Sequence, residues 1–251
     1  MKNLLLVAIV ATSFSGLTNA NNGIYASLKS GISDTKMKDN KYDYYDSGED
    51  YEFLLDYYQK DQSKSIYPNI SAAVGFDFSK ISRLNTRLEL EYSYKNSTVF
   101  NPKSTHATIL VIAPGDPDFY TEDIYPHDIN LFSHKLKSQS LMLNGYYDFK
   151  NKSKFTPYIS AGVGMTYIKN DFYFIDPDYS SSKTDHNFTW SAGVGTTYNV
   201  TDNVALDLSY KYVDAGKLKF SGNIIGVDSG SGLTHFKLNA RDYSLGIRYN
   251  F

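Results

Sequence analysis

The stretch Arg241-Asp242-Tyr243-Ser244-Leu245-Gly246-Ile247-Arg248-Tyr249-Asn250-Phe251 decides how the rest of the chain reads. Tyr243, Leu245, Ile247, Tyr249 and Phe251 form one row; Asp242, Ser244, Gly246, Arg248 and Asn250 form the other. Side chains of a strand alternate between its faces. This strand therefore has one apolar face and one small or charged face. A soluble sheet shows the same alternation. An aromatic residue closing the strand suits the last strand of a transmembrane β-barrel, apolar toward lipid and polar toward the lumen.

Composition permits that reading and removes others. The formal charge of −2 over 251 residues lacks the basic bias of a nucleic-acid binder. No apolar run is long enough for a membrane helix. A barrel escapes that test because half of every strand is polar. The 23 Tyr and 15 Phe suit strands and interfacial girdles. With no Cys, disulfide scaffolds and thiolate metal sites are ruled out.

Working back from the closing strand, seven more outward rows appear: Ile24 to Ile32, Ile70 to Phe78, Leu84 to Tyr94, Leu141 to Phe149, Ile159 to Tyr167, Phe188 to Tyr198 and Val204 to Tyr212. Each is close to the roughly 9–11 residues that a tilted strand needs to cross. The connections alternate in length. Ser79 to Arg83, Lys150 to Lys154 and Thr201 to Asn203 are short. Those at roughly Ser33 to Tyr67, Asn96 to Lys137, Asp171 to His186 and Asp214 to Lys237 are long. Short periplasmic turns and long outer loops are the habit of outer-membrane barrels. The expected fold is all-β: an eight-stranded antiparallel up-and-down transmembrane barrel with long extracellular loops and both termini in the periplasm. Aromatics at both ends of the rows predict two girdles. Such a chain belongs in the outer membrane of a Gram-negative bacterium, with outer-membrane lipid as its first partner.

The inward rows carry Lys29, Arg87, Glu89, Glu91, Asp207, Lys211, Asp242 and Arg248. Eight strands leave an interior that side chains just fill. Charges of both signs there should pair, because a buried unpaired charge is costly. Arg87, Glu89, Glu91, Asp207 and Arg248 are therefore expected to form a core network, with Lys29 and the two arginines as partners of the glutamates. Glu89 and Glu91 share a face and could form an acid/base pair; a structural ion-pair network is the preferred reading. A filled polar core also argues against a small-solute porin.

Chain-specific chemistry then falls to the loops. The first combines Tyr44, Tyr45, Tyr57 and Tyr58 with Asp43, Asp46, Glu49, Asp50 and Asp56. Tyrosine gives large contact area at low entropic cost. In the second, the run from Thr108 to Ile112, with Ile109 and Val111, calls for a partner or an added hairpin. The histidines His106, His127, His134, His186 and His235 show no metal-site spacing. No catalytic motif, cofactor loop or metal signature is expected. At the other end, Lys2, the apolar run Leu4 to Val10 and the small residues Thr18-Asn19-Ala20 read as a signal peptide over residues 1–20, cleaved after Ala20. Residues 21–251 form the barrel domain.

Thr156-Pro157-Tyr158-Ile159-Ser160-Ala161-Gly162-Val163-Gly164, Trp190-Ser191-Ala192-Gly193-Val194-Gly195, the stretch Asn203 to Tyr212 and the strand Tyr243 to Phe251 together carry a resemblance. They are similar to the opacity-type and surface-antigen outer-membrane proteins, including small adhesins of rickettsia-like bacteria. The resemblance implies an eight-stranded barrel and adhesion to host-surface or matrix proteins through outer loops. It also implies that barrel assembly machinery reads the terminal Phe251. A porin-like channel and a purely structural surface antigen are the alternative functions.

Overall fold

An antiparallel meander that must satisfy every backbone group in lipid has to close on itself, and this one does. The computed structural model describes residues 23–47, 52–59, 62–103, 106–112, 120–124, 132–174, 180–222 and 231–251. The signal peptide expected over residues 1–20 lies outside them. In chain order the strands are β1 (Ile24–Ser47), β2 (Glu52–Gln59), β3 (Ser63–Asp77), β4 (Thr86–Phe100), β5 (His106–Ile112), β6 (Tyr120–Ile124), β7 (Phe132–Asp148), β8 (Phe155–Phe174), β9 (Ser180–Asn199), β10 (Val204–Gly222) and β11 (Ser231–Asn250). Eight of them form a ring in the order β1, β3, β4, β7, β8, β9, β10, β11, closed by antiparallel pairing of β11 with β1. The remaining three extend the outer end of β1 as a sheet in the order β1, β2, β5, β6.

The turns at one end are tight. A single 3₁₀ turn, Phe78–Lys80, capped by Asp77, joins β3 to β4. Thr201 Oγ1 accepts from the backbone of Asn203 and Val204 between β9 and β10. The described termini meet at this end, where Phe251 N donates to Ile24 O at 3.1 Å. By the loop-length habit of such barrels this is the periplasmic end.

The eight outward rows read from the sequence are the outward rows of the structure. Leu28, Leu90, Leu143, Ile159, Val194, Leu208 and Leu245 are exposed large apolar side chains, as a lipid-facing belt requires. Rings bracket the belt. Phe76–Phe78, Tyr147–Phe149 and Tyr249–Phe251 meet edge to face at 5.0–5.2 Å at the periplasmic rim. At the outer rim Trp190 lies 5.6 Å from Tyr212, and Tyr210 lies 5.1 Å from Tyr243. Inside, two glycines seat tyrosine rings. A Cβ at Gly75 would overlap the Tyr25 ring, and one at Gly195 the Tyr158 ring.

The long connections expected from the sequence are mostly strand. All eight ring strands run on above the outer girdle: β1 to Ser47, β3 from Ser63, β4 to Phe100, β7 from Phe132, β8 to Phe174, β9 from Ser180, β10 to Gly222 and β11 from Ser231. In this extension the polarity of the two faces exchanges. On β11 the inward row changes from Arg248, Gly246, Ser244 and Asp242 to Ala240, Leu238 and Phe236, and the outward row from Ile247, Leu245 and Tyr243 to Arg241, Asn239 and Lys237. The physical reason is a change of solvent. Lipid demands apolar residues outside, whereas water above the membrane demands polar ones outside and an apolar core within. Met37, Phe100, Leu136, Ile168, Leu218, Phe236 and Leu238 form that core.

Three bulges keep the core residues inward. They lie between Lys38 and Lys41, Lys95 and Thr98, and Asp214 and Lys217. The last requires Gly216 at φ +69°, a conformation that favours glycine, and Asp214 Oδ1 accepts from its backbone N–H at 2.7 Å.

A buried polar group, His134 between Asn40 and Asn170, sits at this core. His134 is fully buried, with Nε2 3.4 Å from Asn40 Nδ2 and Nδ1 3.3 Å from Asn170 Oδ1. Its outward neighbours Lys135 and Lys137 place it above the lipid belt. Burial pushes its pKa down from 6.5 to about 4, the hydrogen bond it donates to Asn170 Oδ1 opposing. The unfolded extension therefore takes up this proton first. Its stabilising effect is complete above about 6.5 and declines as the pH falls through about 4. Amide exchange corrected for intrinsic rate should show the β7 and β8 outer ends loosening over that window. His134→Phe should remove this part of the pH dependence; an unchanged profile in that variant would refute it.

Candidate functional site

Two regions can carry function: the lumen and the outer surface. The lumen is built in layers by the inward rows. At the periplasmic end Arg87 forks onto Asp148, Nε to Oδ2 at 2.8 Å and Nη2 to Oδ1 at 2.9 Å. Its guanidinium lies 4.4 Å from the Tyr146 ring centre and 5.1 Å from that of Tyr158. In the next layer Lys29 Nζ bridges Glu89 at 2.8 Å and Glu91 at 3.1 Å, while Lys211 holds Glu91 at 2.8 Å. Tyr146 donates to Glu89 at 2.7 Å and Tyr158 to Asp207 at 2.8 Å. Above these, Lys95 and Ser33 both donate to Asp242. The apolar core of the extension closes the stack.

This geometry changes several expected pairings. Glu89 and Glu91 are partnered by lysines, not arginines. Arg87 reaches the inward Asp148 at the end of β7, where a fork-to-fork pair fits the planar guanidinium. Among the described residues Arg248 joins no carboxylate. It lies over the Tyr25 ring at 5.3 Å, and its Nε and Nη1 have no hydrogen-bond partner among the described residues. Asp207 is held by the Tyr158 and Thr197 hydroxyls instead of a cation. Asp148 and Tyr146 have the opposite parity to the outward Leu141 and Leu143 of β7, so alternation places both inside, a signal the sequence carries.

With every acid of the Glu89, Glu91 and Asp242 layers engaged, little room remains. Two spaces between the layers, one beside Glu91, Lys95 and Lys211 and one beside Thr35, Tyr67 and Leu238, have volumes of about 20 Å³ each. That suits a water molecule, not a solute. Among the described residues no three His, Asp or Glu side chains converge to hold a metal.

Outside, the sheet of β1, β2 and β5 rises above the ring. Tyr44 does not face solvent. It is 5% exposed and points inward beside Tyr42, their rings stacked at 6.4 Å. Tyr45, on the other face, is 43% exposed and lies directly opposite Leu54, which is 41% exposed. Below this pair Asp43 faces Asp56, and Lys41 reaches both, at 2.7 and 3.6 Å. Hydrogen bonding to Asp43 leads the causes that raise the Lys41 pKa. Tyr58 sits opposite Lys41 on the same strand pair. For Tyr57, Ile109 and Val111 only the backbone is described; Tyr57 lies in β2 and the other two in β5, which pairs with β2 and forms a hairpin with β6. Leu54 was missed because it sits among the acids and tyrosines of a stretch expected to be loop. Its exposure follows only from its register with Tyr45.

Known proteins resemble this chain along its whole length. Outer membrane protein PagN of Salmonella typhimurium is 33% identical over 259 residues, spanning 100% of both chains. A Rickettsia conorii protein named "Putative adhesin RC1281" is 26% identical over 271 residues, again spanning 100% of both. Among solved structures, Neisserial surface protein A covers 91% of this chain and 97% of its own, with 16% identity and a TM-score of 0.44. The family described as outer membrane protein beta-barrel domain matches residues 4–251. The chain belongs to that family and is a barrel of the bacterial outer membrane.

Proposed function

We propose that this barrel is an adhesin that binds a host-surface or matrix protein through the outer face of β1, β2 and β5. The observation that carries the reading is the Tyr45–Leu54 pair, exposed above the lipid belt where outward residues are otherwise mostly polar. An aromatic beside an aliphatic, next to the Asp43–Asp56 pair, has the make-up of an interface anchor with a charged rim. The name of the full-length rickettsial relative supports the same reading. A small-solute channel is disfavoured by the filled lumen. A purely structural surface antigen is the outcome if no partner is bound.

The test is display in a non-adherent bacterium, with binding to host cells and purified matrix proteins measured. Tyr45→Ser with Leu54→Ser should weaken binding by about 2 kcal/mol, roughly thirtyfold, because central anchors dominate interface energy. Asp43→Asn with Asp56→Asn should chiefly lower the association rate and its salt dependence. Absence of binding by the wild-type protein would defeat the adhesin reading.

A further inference from the structure

The outer extension carries lysines in an arrangement that a sheet ordinarily avoids. Lys36 of β1 lies directly opposite Lys64 of β3. In the next outward row Lys38 of β1 lies opposite Lys237 of β11, which in turn lies opposite Lys217 of β10. Like charges directly opposed across strands are destabilising. Neighbouring carboxylates answer only part of this charge. Asp39 holds Lys237 at 2.9 Å, and Asp34 lies 3.9 Å from Arg241. None of the ion pairs among the described residues engages Lys36, Lys38, Lys64 or Lys217. The local potential is felt. Partial desolvation and then the charges of Arg241, Lys64 and Lys38 lower the Lys36 pKa, with Asp34 opposing. Desolvation and the charges of Lys217, Lys41 and Lys219 lower that of His235, with Asp43 opposing.

Their height identifies what could answer the charge. Exposed Ile66 is two positions below Lys64 on β3, and exposed Ile32 is four below Lys36 on β1. At about 3.3 Å per residue along tilted strands, the lower row stands some 5–10 Å above the edge of the apolar belt. Lysine side chains reach down from such positions toward the interface. This is the level of headgroups, on the side wall of the barrel and not at its tip. We propose that the face formed by β3, β1, β11 and β10 binds the phosphate groups of an outer-leaflet glycolipid, with Lys36, Lys64 and Lys38 as the principal contacts. The anionic headgroup neutralises the opposed lysines that have no carboxylate partner among the described residues, and so ties the extension to the membrane surface.

The probes are bisphosphorylated lipid A, its dephosphorylated form and inorganic phosphate, each added to the refolded full-length barrel in neutral detergent micelles. The readouts are the thermal midpoint and lipid affinity. Bisphosphorylated lipid A should raise the midpoint of the wild type, and the other two probes should not. Lys36→Gln/Lys38→Gln/Lys64→Gln should bind the phosphorylated lipid roughly tenfold or more weakly, from the attraction of each lysine to an anionic surface. Without lipid the triple variant should be as stable as the wild type or more so, since a repulsion is removed. Equal lipid binding by the triple variant, or an equal response to the dephosphorylated lipid, would overturn the proposal. A response to inorganic phosphate alone would indicate a free-ion site and likewise overturn it. If the variant kept its lipid response but lost binding to a soluble sulfated polysaccharide, the lysines would serve a soluble partner and the lipid assignment would fall.

Discussion

Replacing Lys29 by Met is expected to destabilise the barrel by about 3–5 kcal/mol, the cost of stranding buried partners of a lost charge. Lys29 is the one cation bonded to both Glu89 and Glu91 among the described residues, at 2.8 and 3.1 Å. Its side chain is 9% exposed, so bulk water screens the two carboxylates poorly once it is gone. Glu91 would keep Lys211 and Glu89 would keep the Tyr146 hydroxyl. Two carboxylates on adjacent inward positions would then share one cation. Adding Glu89→Gln should recover a good part of the loss, because the stranded charge goes with its partner. The measurement is reversible unfolding in lipid vesicles by urea. For scale, Lys237→Gln removes the exposed pair with Asp39 and should cost under about 1 kcal/mol. Comparable costs for Lys29→Met and Lys237→Gln would show that the lumen is hydrated, not packed.

The second large effect reports where lipid begins. Val194 is outward, 54% exposed, and lies between Ile159 of β8 and Tyr210 of β10. Val194→Arg should cost about 2–4 kcal/mol near the midplane of the bilayer. Ser182 belongs to the same outward row of the same strand, higher up, where its hydroxyl donates to Asp171. Ser182→Arg should stay within about 0.5 kcal/mol of the wild type, because its surroundings are water and a carboxylate. One strand face thus passes from forbidding arginine to accepting it. Equal costs at both sites would mean that the apolar belt has been placed wrongly.

The ring was legible in the sequence because lipid imposes the plainest of patterns, a period of two with one row apolar throughout. From Tyr243 to Phe251 that row runs unbroken, and the short turns such as Thr201 to Asn203 fix the orientation. The outer extension was not legible by the same means. Above Arg241 the apolar residues Ala240, Leu238 and Phe236 pass to the other row, so following one row alone reads the exchange as a strand end. Bulges at Asp39 and Gly216 shift the phase once more. The candidate surface suffered most. Tyr44 and Tyr45 look alike in a loop, but in a strand they take opposite faces, and only Tyr45 reaches solvent. Charged lumen residues could be recognised by parity. Their partners could not, since Arg87 with Asp148 on the neighbouring strand and Lys29 with Glu89 two strands away meet at separations of 61 and 60 residues along the chain.

If function lies outside a closed lumen, the conductance of the purified barrel in a planar lipid bilayer tests this most directly. With Arg87 and Asp148 paired inside the lumen, Lys29 joined to Glu89 and Glu91, Lys211 reaching Glu91 across it, and Leu136, Ile168, Leu218 and Phe236 packed above them, the wild-type monomer should show no steady conductance. A stable ohmic conductance, equal at both polarities and scaling with salt, would contradict the closed lumen and restore the channel reading.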